Sequence, residues 1–213
     1  MNFTSMCGIS LFIGSNAETV ARNTQKLFDF QKHRGPDGGK VETLALPSGK
    51  HIGLAHNLLA LTGNSKPAVQ PLHHTASNSV LLFNGEVYNY ESLKQIPQLQ
   101  GTDWATDADS EVLHQLLLKL KLPALQQVDG MFALALTDLN QEVVILARDA
   151  AGMKPLYYHI DAEGNFMVAS ELNALVKCMD KPTLQQEAAS ALLRYKFSAA
   201  PQTIIKDVFE LVP

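Results

Sequence analysis

The segment Met6-Cys7-Gly8-Ile9 holds the first side chain in this sequence able to act as a strong nucleophile. Inside a chain, such a cysteine reads as a small buried hydrophobe opening a strand. If Met6 is the initiator and is removed, Cys7 carries a free α-amine of pKa about 8 beside a thiol of pKa about 8.5. That pair joins nucleophile and base in one residue, and Gly8 leaves room for a substrate to approach the backbone. Asn84-Gly85-Glu86 follows the apolar run Val80–Phe83. Asn-Gly is the favoured type I′ hairpin turn. The same pair can instead offer a side-chain amide and a backbone N–H to an oxyanion. Asp107-Ala108-Asp109-Ser110-Glu111 precedes an apolar stripe, so Asp109 or Ser110 reads as a helix N-cap. A carboxylate at Asp109 could also receive a substrate ammonium. His33-Arg34-Gly35-Pro36-Asp37 packs turn formers around charged groups. His56 and His73-His74 lack further partners at ligand spacing, so no metal site is expected.

Strands alternating with a few helices must position these residues. Ile9–Ile13 is a short apolar strand, and the spacing of Val20, Leu27 and Phe28 predicts a helix over Ala17–Lys32. Further strands are predicted at His51–Leu61, Ser79–Phe83, Met131–Thr137, Val143–Ala147, Leu156–Ile160 and Phe166–Ala169. Ser110–Leu120 carries a helical stripe, and Leu172–Lys177 and Leu184–Tyr195 read as helices. Val128-Asp129-Gly130 and Asp161-Ala162-Glu163-Gly164 read as tight turns. Hairpins separated by helices, without regular βαβ alternation, predict an α+β fold with antiparallel sheets.

Composition narrows the function classes. The chain has 213 residues, 46% hydrophobic and 18% charged, with a formal net charge of −4. This balance gives no electrostatic footprint for nucleic acid or an anionic membrane, and no apolar run is long enough to span a bilayer. Two cysteines, Cys7 and Cys178, cannot build a disulfide framework or a multi-thiolate zinc site. Cys178 is expected to be structural. No basic residue precedes the N-terminal apolar run, so an export signal is not expected, and the location is expected to be cytoplasmic.

The joint pattern decides the reading. MCGI at Met6–Ile9, HRGPD at His33–Asp37, NGEVYNY at Asn84–Tyr90, the D-x-E element at Asp109–Glu111, DGMFALAL at Asp129–Leu136, RDAAGMKPLYY at Arg148–Tyr158 and ASELNAL at Ala169–Leu175 occur in this order. Together with the PQTIIKDVFELVP ending, they resemble the class II glutamine amidotransferase domain of the asparagine synthetase family, an N-terminal-nucleophile hydrolase. The resemblance implies a four-layer αββα sandwich of two antiparallel sheets. It implies that glutamine is hydrolysed to glutamate and ammonia through a γ-glutamyl thioester on Cys7. Asn84 and Gly85 would form the oxyanion hole. Gly85, Glu86 and Asp109 would hold the backbone end of glutamine, and Arg34 would border the site. No cofactor is expected in this chain, with ATP and Mg expected only in a synthetase domain that uses the ammonia. The expected partners are glutamine and that C-terminal domain of the same polypeptide, and a homodimer is compatible with the sequence. Residues 1–6 read as a leader or a mis-assigned start, 7–180 as the glutaminase domain and 181–213 as a connecting segment.

One departure bears on substrate. Where the family strand carries an arginine for the glutamine α-carboxylate, this chain has Leu58. A charge-assisted bond is worth about 1.5–3 kcal/mol, so its loss predicts roughly ten- to a hundredfold weaker glutamine use. Arg34, Lys50 and Lys66 are candidate substitutes. A degenerate, non-catalytic regulatory domain and an amidase for another amide are the alternatives that Leu58 motivates. The residues before Cys7 are the second departure, since an acylated nitrogen cannot serve as base. Met6 as the true start is the preferred resolution, and an autocatalytic pro-peptide is the other.

Overall fold

Period-two alternation of apolar residues sets the central strands of two antiparallel sheets. A computed structural model describes residues 6–60 and 68–213. In chain order the first half holds β1 (Gly8–Gly14), α1 (Ala17–Phe30), β2 (Gly38–Ala45), β3 (His51–Leu58), β4 (Leu72–His74), β5 (Ser79–Val87) and α2 (Tyr90–Lys94). The second half holds α3 (Asp109–Leu120), β6 (Gly130–Asp138), β7 (Val143–Arg148), β8 (Tyr157–Ile160), β9 (Phe166–Ala169), α4 (Leu172–Val176), α5 (Gln186–Tyr195) and β10 (Val208–Glu210). The first sheet runs β10-β8-β9-β1-β3-β2 and the second β4-β5-β6-β7.

Three apolar layers hold four structural layers together. Between the sheets, Ile9 and Leu11 of β1 and Ile52 and Leu54 of β3 meet Val80 and Leu82 of β5 and Ala133 and Ala135 of β6. The opposite face of β1 turns Phe12 outward onto Val20 and Leu27 of α1 and Leu175 of α4. The opposite face of β5 packs Leu81 and Phe83 on Val112, Leu113 and Leu116 of α3. The αββα sandwich of antiparallel sheets expected from the sequence is therefore the observed fold. Asn16 starts α1 by accepting the Thr19 N–H at 2.8 Å, a conventional side-chain N-cap.

Three expectations change. Asn84-Gly85 is no hairpin turn: it lies inside β5, with Asn84 opposite Ala133 and Gly85 opposite Phe132. The N-cap of α3 is Ala108, and Asp109 is the first helical residue. Among the described residues no side chain caps α3; Glu111 instead fastens the preceding loop, its carboxylate accepting the Ala105 and Thr106 N–H groups at 2.9 and 2.7 Å. In the segment 181–213, β10 pairs with β8 on the edge of the first sheet, and Leu211 N–H binds Leu156 O at 2.8 Å. Leu61 and Lys66 lie outside the described residues, as does the segment before Met6. Among the described residues no helix is long and apolar enough to cross a membrane.

Candidate active site

Cys7 immediately precedes β1, whose first residue Gly8 pairs with Asn57 of β3. Alternation puts Cys7 on the face that Ile9 and Leu11 turn toward the second sheet, and Asn84 on the face that Val80 and Leu82 turn toward the first. Nucleophile and amide thus share one end of the gap between the sheets. The Cys7 thiol contacts Leu59 from both sides of its peptide, accepting from N–H at 3.4 Å and donating to O at 3.7 Å. Burial pushes the thiol up, while the Leu59 N–H and the charges of Lys154 and Arg34 pull it down.

Two donors on β5 are directed at this corner. Asn84 is 1% exposed, yet its Nδ2 has no hydrogen-bond partner among the described residues. A buried donor in that state costs about 1–3 kcal/mol, so it marks either strain or a ligand site. Both backbone groups of Phe132 bond Asp149, away from β5: its N–H donates to the Asp149 carboxylate and its carbonyl accepts the Asp149 N–H. Gly85, opposite Phe132, therefore directs its own N–H to the far edge of β5. On that edge Gln70 Oε1 takes the Phe83 N–H at 2.6 Å, and Asp109 Oδ2 takes the Val87 N–H at 2.8 Å. Strand β4 reaches only Leu81, which leaves the Gly85 N–H between those two without a strand beside it.

Asp109 is anchored by the Val87 bond and by Ser110 N–H at 2.8 Å on its other oxygen. Burial raises its carboxyl above the usual range, aided by the charge of Glu86 and opposed by those two N–H groups. A buried carboxylate at the site edge is suited to a cationic group. Glu86 itself is exposed at the end of β5.

Arg34 braces the nucleophile from behind. It is 4% exposed, its Nε donates to Cys7 O at 3.1 Å, and its Nη1 meets Glu171 at 3.2 Å. Gly35 lets this loop lie on β3, since a Cβ there would stand 2.4 Å from the Asn57 carbonyl carbon. Leu58 ends β3 half-buried, and of the candidate substitutes Arg34 gives Nε to Cys7 and Nη1 to Glu171, its buried Nη2 having no partner among the described residues. Lys50 precedes β3 at its other end, the full length of the strand from Leu58. His56 is buried between the sheets, where desolvation lowers it to about 4, and His73 pairs with Glu42. Among the described residues no group of three or more such side chains could hold a metal ion.

The sequence reading assigned no role to Lys154, Glu171 or Leu59. Lys154 is 8% exposed, with Nζ 3.3 Å from Met6 Sδ. Its place in RDAAGMKPLYY was the available signal, but a lone lysine in a loop reads as solvated until its burial is known.

A family model described as the glutamine amidotransferase domain matches residues 6–213. The chain belongs to that family. Its curated relatives include proteins named as glutamine-hydrolyzing asparagine synthetases. The chain is 28% identical over 225 residues to "Putative asparagine synthetase [glutamine-hydrolyzing] 2" of Methanocaldococcus jannaschii, covering 97% of this chain and 42% of that protein. It is 32% identical over 173 residues to "Asparagine synthetase B [glutamine-hydrolyzing]" of Escherichia coli, covering 80% of this chain and 30% of that protein. The chain thus spans under half the length of these curated relatives. Among solved structures, the B. subtilis glutamine phosphoribosylpyrophosphate amidotransferase superposes with a TM-score of 0.58 at 21% identity, covering 81% of this chain and 43% of that one. At that identity the amidotransferase likeness supports the N-terminal-nucleophile hydrolase fold.

Proposed function

We propose that this domain hydrolyses glutamine to glutamate and ammonia from a free N-terminal Cys7, and that the ammonia serves an ATP-dependent amidation of the asparagine synthetase type. The observation that carries the reading is the unpartnered Asn84 amide beside the Gly85 N–H, at the corner where Cys7 lies. In the proposed reaction the α-amine takes the thiol proton as Sγ attacks the glutamine side-chain carbonyl carbon. Asn84 Nδ2 and Gly85 N–H hold the oxyanion. Collapse of the tetrahedral species expels ammonia with the transferred proton and leaves a γ-glutamyl thioester, which water then hydrolyses. Asp109 receives the substrate ammonium. ATP and Mg belong to the synthetase portion of a longer, cytoplasmic polypeptide.

Intact-mass spectrometry of protein made from its native gene tests this reading. A mass beginning at Cys7 is expected, with a single adduct from a glutamine-analogue electrophile that Cys7→Ala abolishes. A mass retaining Met6 with no adduct would favour the non-catalytic domain, which the names of the relatives do not favour.

Leu58 sets the affinity in this reading. Leu58 shares the inter-sheet face of β3 with His56, at the end nearest Cys7. Leu58→Arg should restore a charge-assisted bond to the α-carboxylate worth about 1.5–3 kcal/mol, lowering KM for glutamine roughly tenfold or more. Steady-state glutaminase kinetics decide it, and an unchanged KM would mean that the carboxylate is held elsewhere.

A further inference from the structure

We propose that Lys154 is a positioning residue of the nucleophile: its buried ammonium, with no carboxylate partner among the described residues, stands against Met6, the residue before Cys7, and holds the thiol and the α-amine in their unprotonated, reactive forms. The inference rests on the reading of Cys7 as an N-terminal nucleophile.

The loop that carries Lys154 is built with unusual rigidity for a surface connection. Asp149 gathers it from inside, accepting from Phe132 N–H at 3.0 Å and from Ala151 and Met153 N–H at 3.1 Å. Burial would raise this carboxyl, but those N–H donors hold it below its usual range. Arg148 fastens the loop from outside, its Nε on Lys154 O at 2.6 Å and its Nη1 on Glu210 at 2.9 Å. The backbone of Lys154 is therefore pinned between β7 and β10.

The ammonium that this scaffold presents has one hydrogen-bond contact among the described residues, Met6 Sδ at 3.3 Å. Among the described residues no carboxylate forms an ion pair with it, although Lys154 is almost fully buried. A buried cation without a counter-ion is costly, and surface connections rarely keep one without a use. Removal of Met6 takes away that contact and leaves the Cys7 nitrogen as an amine. Lys154 and Arg34, whose Nε holds Cys7 O, are then the two cations whose charge acts on Cys7.

Charge explains what such a pair of cations does. An ammonium beside an amine disfavours protonation of the amine, and a cation beside a thiol favours the thiolate. A base whose own proton is gone at neutral pH can take the proton of the thiol. The groups that face this cluster are Arg34 from the loop after α1, Glu86 from β5, Asp109 from α3 and Asp149 below the loop. Asp109 opposes the two cations at Cys7, and burial of Lys154 together with Arg34 lowers its own ammonium.

Alkylation of Cys7 by iodoacetamide, followed against pH and read on the N-terminal peptide by mass spectrometry, tests the inference without requiring glutaminase activity. Lys154→Met should raise the alkylation midpoint by about one pH unit, and Lys154→Arg should keep it within a few tenths of the parent. The acid limb of kcat/KM for glutamine should move by the same amount in the methionine variant. A Lys154→Met midpoint that superimposes on the parent overturns the inference. So does an equal shift in Lys154→Arg, which would assign the effect to shape and not charge. A rise in glutamine KM with no shift in midpoint also overturns it, by assigning the ammonium to the substrate. A shifted midpoint in a chain that releases no glutamate upholds this inference while removing the glutaminase reading.

Discussion

Asn84→Ala should slow glutamate release by about 10²–10³ in kcat while leaving KM for glutamine nearly unchanged. Among the described residues the amide finds no hydrogen-bond partner for Nδ2 in the resting fold, although Asn84 is 1% exposed. Its donor finds an acceptor only when charge develops on the scissile carbonyl oxygen, so the loss falls on the transition state and not on substrate binding. The same absence of a resting partner predicts the stability result. Alanine removes a desolvated donor that costs about 1–3 kcal/mol, so the variant should melt at or above the parent temperature. Activity and stability then move in opposite directions, as expected where a group is held for the reaction at the expense of the fold. Steady-state kinetics beside thermal melting measure both. Equal loss of kcat and Tm would instead make Asn84 a structural residue of the β5–β6 ladder.

Gly85→Ala should damage both properties. A Cβ at this position would stand 2.2 Å from Met131 O and 2.6 Å from Phe132 Cα. Both are backbone atoms of the neighbouring strand, so no side chain can swing away. The strands must separate where β5 and β6 run in register from Ser79 to Val87. Overpacking of this kind costs about 1–3 kcal/mol, here toward the upper end, which is a Tm loss of about 6–12 °C in a chain of this size. The activity loss should exceed the stability loss, because moving Gly85 displaces its own N–H and the adjoining Asn84 amide together. Glutamate release assayed well below the melting temperature separates the two effects. A variant with parental Tm and parental kcat would show that the close strand approach at Gly85 is dispensable.

Much of the scaffold was legible residue by residue, because local patterns are enforced by local physics. Phe166–Ala169 appears as β9 with those bounds, and the stripe from Val112 to Leu120 appears as α3 extended by one residue past Ser110. Patterns failed where a neighbour supplied the reason. Strand β2 escaped the reading because most of Gly38–Ala45 is exposed and it begins on two glycines, so its order comes from pairing with β3. Strand β10 is three residues long and exists only as the partner of β8. Asn84-Gly85 has the composition of a tight turn, yet the ladder with β6 continues through it to Val87.

What the sequence determined by itself was the chemical inventory: a cysteine nucleophile near the start, an amide and glycine pair, a carboxylate before a helix, and a family pattern ordering them. Leucine at position 58 was equally plain, as was its consequence for a carboxylate. Only the tertiary structure decided that the Asn84 donor has no partner among the described residues, that Arg34 joins Cys7 to Glu171, and that Lys154 is buried against Met6. The physical reason is that partnership and desolvation belong to pairs of groups far apart in the chain. Cys7 meets Leu59 across β1 and β3, and Met6 meets Lys154 across the whole length of the domain. No periodicity in one segment can encode whether another segment arrives to accept its hydrogen bond or to exclude water from its charge.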